Sequence, residues 1–401
     1  MNKQTYHLNQ IIYTISKDLD NIGAKLIIVG GNVRDYYLHL SSKDYDLEVY
    51  GLSTLDDLEK ILASYGDVNL VGKSFGVLKF RYEKEEYDFS FPRRESKIDV
   101  GHRGFDIELD SKMSFKEASQ RRDFTINSMG YDIKKLQFLD PYNGLDDIKN
   151  KKLRCIDEKK FQEDPLRVYR AIQFCARFEF TLEKNSFILC QKMVQNGSLT
   201  TLPKERIYTE FTKLLLKANR PSLGFELMKE LGVLTYFSEL EQVDFKKLDY
   251  KKLTLFAMFV ILLEGLEIEK SKNFLYKITD EHKLIKKVLL FIKYFKTPSS
   301  LFEKSATDVD IRRLAKYINI EELVTLSYFD NKEASEWLLQ KAIYLGVQNR
   351  PLQRLLEGKD LIKIGKKPSP KFREILESVY ELQIEGTICN FEDAILFAST
   401  L

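Results

Sequence analysis

The sequence predicts an α+β fold: a small mixed-sheet head over residues 1–140, followed by a largely α-helical remainder. Three observations predict it. The apolar run Leu26 to Val29 ends at Gly30-Gly31, as a strand does when it turns sharply. Tyr45 to Tyr50 alternates with a period of two. After Asp140-Pro141 almost every segment repeats its apolar residues at 3.6-residue spacing, with little alternation.

Taken in order, Leu8, Ile11, Ile12 and Ile15 share one face of a first helix, and the strand at Leu26 to Val29 follows. Asn32 to Leu40 reads as a short helix. In the next strand Tyr45, Leu47 and Val49 point one way, and Asp44, Asp46 and Glu48 the other. Leu55 to Tyr65 is helical, and Phe75 to Phe80 and Tyr87 to Phe91 extend the sheet. Beyond residue 140, Phe161 to Phe180 reads as helix, its Pro165 suiting a first turn, as do Glu205 to Ala218, Ser222 to Leu231 and Lys283 to Lys296. No internal repeat or low-complexity linker separates the two parts, so they are expected to pack together.

Composition narrows the function classes. At 401 residues at least two structural units are expected. Lys and Arg number 63 against 60 Asp and Glu, so any nucleic-acid surface must come from local clustering of charge. Cys155, Cys175, Cys190 and Cys389 are scattered and form no CxxC, which argues against a disulfide framework or structural zinc and fits a reducing cytoplasm. The N-terminal stretch has no signal-peptide pattern, and the longest apolar run, Leu255 to Leu263, is too short to span a bilayer. A soluble protein is expected. Its four histidines, His7, His39, His102 and His282, lie far apart, which argues against a histidine-rich metal hydrolase.

The chemistry starts at Asp44 and Asp46. Carboxylates at i and i+2 of a strand project from one face and can chelate an oxygen-loving divalent cation such as magnesium in phosphoryl transfer, although a solvated acidic face has the same spacing. Gly30-Gly31 lets backbone amides approach phosphate oxygens, and Arg34, one helical turn on, is placed to contact a triphosphate. A plain strand-to-helix turn with a surface ion pair is the alternative.

Two further motifs weigh against that alternative: RRDFTINSM at Arg121 to Met129 and EDPLRVYR at Glu163 to Arg170. The glycine turn, DxD, RRDFTIN and EDPLRxxR in this order resemble the class II tRNA nucleotidyltransferases, meaning the CCA-adding enzymes and bacterial poly(A) polymerases of the polymerase β superfamily. The resemblance spans about Leu26 to Phe180 and continues more weakly through residues 202–234. It implies a nucleotidyltransferase catalytic head at 1–140, a helical neck at 141–235 with the base-recognition helix, and a helical body and tail at 236–401 that holds tRNA.

Carried over residue by residue, the resemblance makes Asp44 and Asp46 the catalytic ligands of Mg2+, and Gly31 and Arg34 contacts of the incoming nucleotide. Arg122 and Asp123 become the ribose-recognition pair, although a buried ion pair at a helix end fits them equally. Asp164 and Arg167 would read the base edge: an acid accepts from the exocyclic amine that C and A both carry, an arginine donates to ring nitrogen or carbonyl, and G and U leave polar groups unpaired. Arg170 would contact phosphate or the base region. Gln173 stands where some relatives carry another arginine, and Asp88 is a possible third carboxylate. Asp35, beside Arg34, is left outside the site because it could equally favour a helix dipole.

The segment from Arg93 to Gln120, with Gly101, His102, Arg103 and Gly104, looks like the loop such enzymes use to switch from C to A addition, or an ordinary hairpin. His282 to Lys296 puts Ile285, Val288, Leu289, Ile292 and Phe295 on one face and carries five lysines and no acid; it suits either a phosphate-tracking helix or a core helix with a solvated face. Lys204, Glu205 and Arg206 form a second candidate RNA contact, matched by a simple helix start. The expected activity is addition of CCA to tRNA 3′ ends from CTP and ATP. The rivals are an A-adding enzyme of a split system, a poly(A) polymerase, and an inactive RNA-binding homologue. A fused phosphohydrolase would need clustered histidines that this chain lacks.

Overall fold

Lys25–Val29 forms the first strand, β1, because Leu26 through Val29 are bulky or β-branched and all four are buried, leaving no polar side to a helix. The computed structural model of the chain describes residues 6, 8–41, 45–69, 76–97, 105–249, 253–328 and 330–401. Before β1, helix α1 (Gln10–Asn21) opens where the Asn9 side chain accepts from the Ile11 N–H, and it buries Ile12, Ile15 and Leu19. After it come α2 (Gly31–Tyr37), β2 (Tyr45–Tyr50), α3 (Leu55–Ala63), β3 (Asp67–Asn69), β4 (Val77–Tyr82) and β5 (Glu85–Ser90). Next are β6 (Arg93–Lys97), β7 (Phe105–Leu109), α4 (Phe115–Ser119), β8 (Gly130–Asp132) and β9 (Gln137–Leu139).

Among the described residues, seven of these strands form one mixed sheet in the order β3-β4-β5-β2-β1-β8-β9. Strand β1 runs antiparallel to β2 and β8, while the central strand β2 pairs parallel with β5. This order sets Asp46 of β2 opposite Val29 on one side and Asp88 of β5 on the other. Strands β3, β8 and β9 have three residues each, too few for alternation to show in sequence. Strands β6 and β7 form a separate antiparallel hairpin; residues 98–104 between them, with Gly101, His102, Arg103 and Gly104, lie outside the described residues.

The chain divides into two compact units, Met1–Lys251 and Lys252–Leu401. The first holds the head sheet and the helices expected as a neck: α5 (Gly144–Lys149), β10 (Lys152–Leu153), α6 (Glu158–Gln162), α7 (Leu166–Phe178), β11 (Thr181–Leu182), α8 (Lys184–Gln195), α9 (Lys204–Lys217) and α10 (Pro221–Leu231). The single helix expected across Phe161 to Phe180 is broken between α6 and α7, because Pro165 has no N–H with which to continue it. As a result Asp164 lies ahead of α7, and only Arg167 and Arg170 share its face at a spacing of three. Helix α7 buries Val168, Tyr169 and Ile172 and packs against α9 and α10, with Tyr169, Phe211 and Phe225 in successive ring contact.

The second unit is helical throughout its described elements: α11 (Leu255–Leu263), α12 (Ile268–Ile278), α13 (His282–Tyr294), α14 (Thr297–Glu303), α15 (Asp308–Ala315), α16 (Ile320–Ser327), α17 (Lys332–Tyr344), α18 (Gly358–Lys363), α19 (Lys371–Glu385) and α20 (Phe391–Thr400). In α13 the buried residues are Ile285, Val288, Phe291 and Ile292; Leu289 is only half-buried. Two of its lysine face's charges are committed, since Lys287 pairs with Glu322 at 2.8 Å and Lys296, just past the helix, with Asp330 at 3.1 Å. Helices α18 to α20 enclose Leu361, Ile375, Val379, Ala394 and Ala398. No helix among the described residues is long and apolar enough to cross a membrane.

Candidate active site

The turn between β1 and α2 places the first functional groups. Gly30 has φ +75° and ψ −130°, a conformation that side chains resist, and a Cβ there would fall 2.6 Å from Arg122 Nη1. Gly30→Ala is expected to lower stability by about 1–2 kcal/mol through the backbone alone and to push the Arg122 guanidinium aside; a thermal melt checks the first effect, and nucleotide titration the second.

Arg34 is 5 % exposed. Its Nε and Nη2 donate to Asp35 Oδ1 at 2.8 and 2.6 Å, its Nη1 donates to Asn127 Oδ1 at 2.6 Å, and its guanidinium lies over the rings of Phe174 and Phe178. Burial lowers its pKa, opposed by the Asp35 carboxylate. Arg177 approaches the other Asp35 oxygen at 3.8 Å. Asp35 is thus an inner member of the site, which sequence left open because a helix-start acid looks the same. Arg34→Met is expected to destabilise the first unit by about 3–5 kcal/mol, since it leaves Asp35 in a dry environment with a weaker partner. Arg34→Lys should restore little of this, having no planar fork to reach both Asp35 and Asn127; urea unfolding midpoints check both.

On β2, Asp46 is exposed, and Asp44 lies outside the described residues. Asp88, level with Asp46 on β5, is ion-paired with Lys79 at 3.4 Å. Two residues beyond Asp46, Glu48 is 1 % exposed: its Oε1 accepts from Arg121 Nη2 and Arg122 Nη2, both at 3.1 Å, and its Oε2 from the Tyr50 hydroxyl at 2.7 Å. Burial acts to raise the Glu48 pKa, but Arg122, Arg121 and the Tyr50 hydrogen bond outweigh it and hold the carboxyl below the usual range. Among the described residues, no group of three His, Cys, Asp or Glu side chains is placed to hold a metal ion.

RRDFTIN supplies the hub. Asp123 Oδ1 accepts from the Phe124 N–H and from Asn127 Nδ2, both at 2.9 Å, and Oδ2 from Arg170 Nε at 2.6 Å. Burial acts to raise the Asp123 pKa, and Arg170 and Asn127 more than reverse it. The bonds therefore run continuously from Arg34 through Asn127 and Asp123 to Arg170.

Asp164 caps the start of α7 by accepting from the Leu166 N–H at 3.2 Å, and forms a bidentate pair with Arg206 of α9 at 3.1 and 3.0 Å. Arg167 does not pair with Asp164; it donates to the Lys160 and Arg121 carbonyls at 2.9 and 2.7 Å. Gln173 is buried, with Nε2 lacking a hydrogen-bond partner.

These residues line one cavity of about 390 Å³: Gly31, Arg34, Asp46, Arg121, Arg122, Asp123, Asn127, Asp164, Leu166, Arg167, Arg170 and Arg206. It is large enough for a small-molecule ligand and unusually cationic for one. The described residues expected at the site are thereby brought together, with Asp88 outside the lining. Besides Asp35, four participants were not expected there. Asn127 stands inside RRDFTIN, Glu48 shares the strand face of Asp46, Arg121 precedes Arg122, and Arg206 carried only a cue for RNA contact.

Residues 26–154 match the model of the poly A polymerase head domain, and residues 179–243 that of a probable RNA- and SrmB-binding site of polymerase A. Residues 26–154 thus carry a poly A polymerase head domain. The chain is similar to the multifunctional CCA protein of Pseudoalteromonas atlantica, 35 % identical over 221 residues, or 54 % of this chain and 52 % of that one. The CCA-adding enzyme of Buchnera aphidicola is 35 % identical over 223 residues, 55 % of this chain and 51 % of its own. The chain thus spans about half the length of these curated relatives. In fold, it is similar to the Bacillus stearothermophilus CCA-adding enzyme in complex with CTP, with TM-score 0.76 and 20 % identity over 98 % of this chain and 96 % of that one. It is also similar to the Thermotoga maritima CCA-adding enzyme complexed with tRNA, with TM-score 0.67 and 21 % identity over 98 % and 94 %. The chain thus shares the fold of those two enzymes.

Proposed function

We propose that the chain adds C, C and A to the 3′ end of tRNA without a template, using CTP and ATP and releasing pyrophosphate. One observation carries this reading: a single cavity is lined by the acid of a DxD strand and by Asp164 and Arg167 from the start of a helix more than a hundred residues away. The first suits phosphoryl transfer, and the second suits choosing a base with protein groups. The relatives named as CCA-adding enzymes, and one such structure with CTP, support it.

In this reading Asp44 and Asp46 hold magnesium. The described donors fit, because Asp46 offers a hard carboxylate oxygen at an exposed strand start on the cavity wall. Magnesium bound there supplies positive charge to the phosphate oxygens of the nucleotide. Gly31 leaves room for the nucleotide beside Arg34, whose fixed guanidinium shapes the floor. Arg122 and Asp123 face the sugar-phosphate, Arg167 and Asp164 the base edge, and Arg170 the phosphate or base through its bond to Asp123. Arg206 orients the Asp164 carboxylate, so that a remaining lone pair can accept from the amine of C or A. Residues 1–140 then carry catalysis, 141–235 base choice, and 236–401 the hold on tRNA, in the cytoplasm, where the free thiols of the four cysteines persist.

The deciding experiment incubates the protein with tRNA ending at the discriminator base and labelled CTP, then ATP. Sequential incorporation of two C and one A is expected. Extension by ATP alone would convert the reading to an A-adding enzyme or poly(A) polymerase, and no incorporation of either would leave an inactive RNA-binding homologue.

A further inference from the structure

Resting on that nucleotide-site reading, we propose that Glu48 is a positioning residue that fixes Arg121 and Arg122 as a paired clamp for the triphosphate of the incoming nucleotide. Among the other arginines of the cavity, Arg34 has its Nε and one hydrogen on each Nη held by Asp35 and Asn127, and Arg170 is held by Asp123. Arg121 and Arg122 are set differently. Each places one Nη on the same oxygen of Glu48, and both line the cavity.

Geometry gives the clamp a direction. The point where a Gly30 Cβ would stand is 2.6 Å from Arg122 Nη1 and 3.8 Å from Asp46 Oδ2. Arg122 therefore reaches over the bare glycine to the side of the DxD acid, where the phosphates of a nucleotide oriented by Asp46 must pass. Two guanidiniums held this close repel one another, and the Glu48 carboxylate between them, itself fixed by the Tyr50 hydroxyl, offsets that repulsion. A buried carboxylate adds little net stability, so its use lies in fixing this arrangement. The clamp is also wired to base choice, because the Arg121 carbonyl accepts from Arg167 Nη2 at 2.7 Å. Glu48 touches neither sugar nor base in this arrangement, and it acts only through the arginines.

The test compares the affinities of ATP and adenosine for the full chain by isothermal titration calorimetry. Glu48→Gln is expected to weaken ATP about tenfold while leaving adenosine within twofold of wild type. Placed on an Arg122→Gln background, Glu48→Gln should cost ATP little more. Equal weakening of ATP and adenosine would make Glu48 a merely structural residue and overturn the proposal, as would full additivity with Arg122→Gln or unchanged ATP binding. Should Glu48→Gln not fold, Tyr50→Phe removes only the hydroxyl that fixes Oε2. A smaller weakening confined to ATP is then expected, and its absence overturns the proposal. Wild-type protein that binds neither ATP nor adenosine would instead refute the nucleotide site itself.

Discussion

Asp46→Ala is expected to lower nucleotide incorporation by on the order of a thousandfold, equivalent to about 4 kcal/mol of barrier. The carboxylate sits at the exposed start of β2, between Val29 and Asp88 in the sheet, so the truncation leaves no cavity in the core. Melting temperature and tRNA binding should therefore stay near wild type while turnover collapses, and single-turnover incorporation with labelled CTP measures the difference. Asp44→Ala should behave alike. Turnover unchanged in both variants would remove the metal role from this strand. Asp88→Ala is expected to have a much smaller effect, because Asp88 is paired with Lys79 and stands outside the cavity lining.

The second large effect is on choice rather than rate. In the proposed reading, Asp164→Ala should reduce the preference for CTP and ATP over GTP and UTP by about a hundredfold, because the acceptor for the amine at C4 of cytosine or C6 of adenine, where U and G carry a carbonyl, is lost. It also removes the bidentate partner of Arg206 and the cap on the Leu166 N–H, so a fall of about 1–2 kcal/mol in stability accompanies it. Competition assays with all four nucleotides at equal concentration read the preference directly. A variant that slows all four equally would show that Asp164 organises the helix start without reading the base.

The legible parts of the molecule were those with a long period. Leu26 to Val29 announces itself as an unbroken apolar run because both its faces are buried, and the amphipathic helices α7, α9 and α10 because burial of one face forces a repeat in the sequence. Strands of three residues do not, and neither does a helix break that depends on a single proline. The same contrast holds in the cavity. Asp46, Asp164 and Arg167 stand in motifs whose order along the chain could be recognised. Glu48 and Arg206 could not be found in that way, because a carboxylate on an alternating strand and an arginine near a helix start each have many uses. Their roles come from partners 73 and 42 residues distant, which only the tertiary folding within the head and within the neck helices brings within reach.

The lining of the cavity also governs how quickly a ligand arrives. Six arginines face it against three aspartates, within a chain whose formal net charge is only +3, so the field that an approaching anion feels is concentrated at one mouth. In the proposed reading a nucleoside triphosphate would be drawn along that field from beyond contact distance, and mobile ions shorten its range to about 10 Å at 0.1 M salt. Ionic strength is thus a control on association: added salt should slow nucleotide capture far more than it loosens the complex once formed.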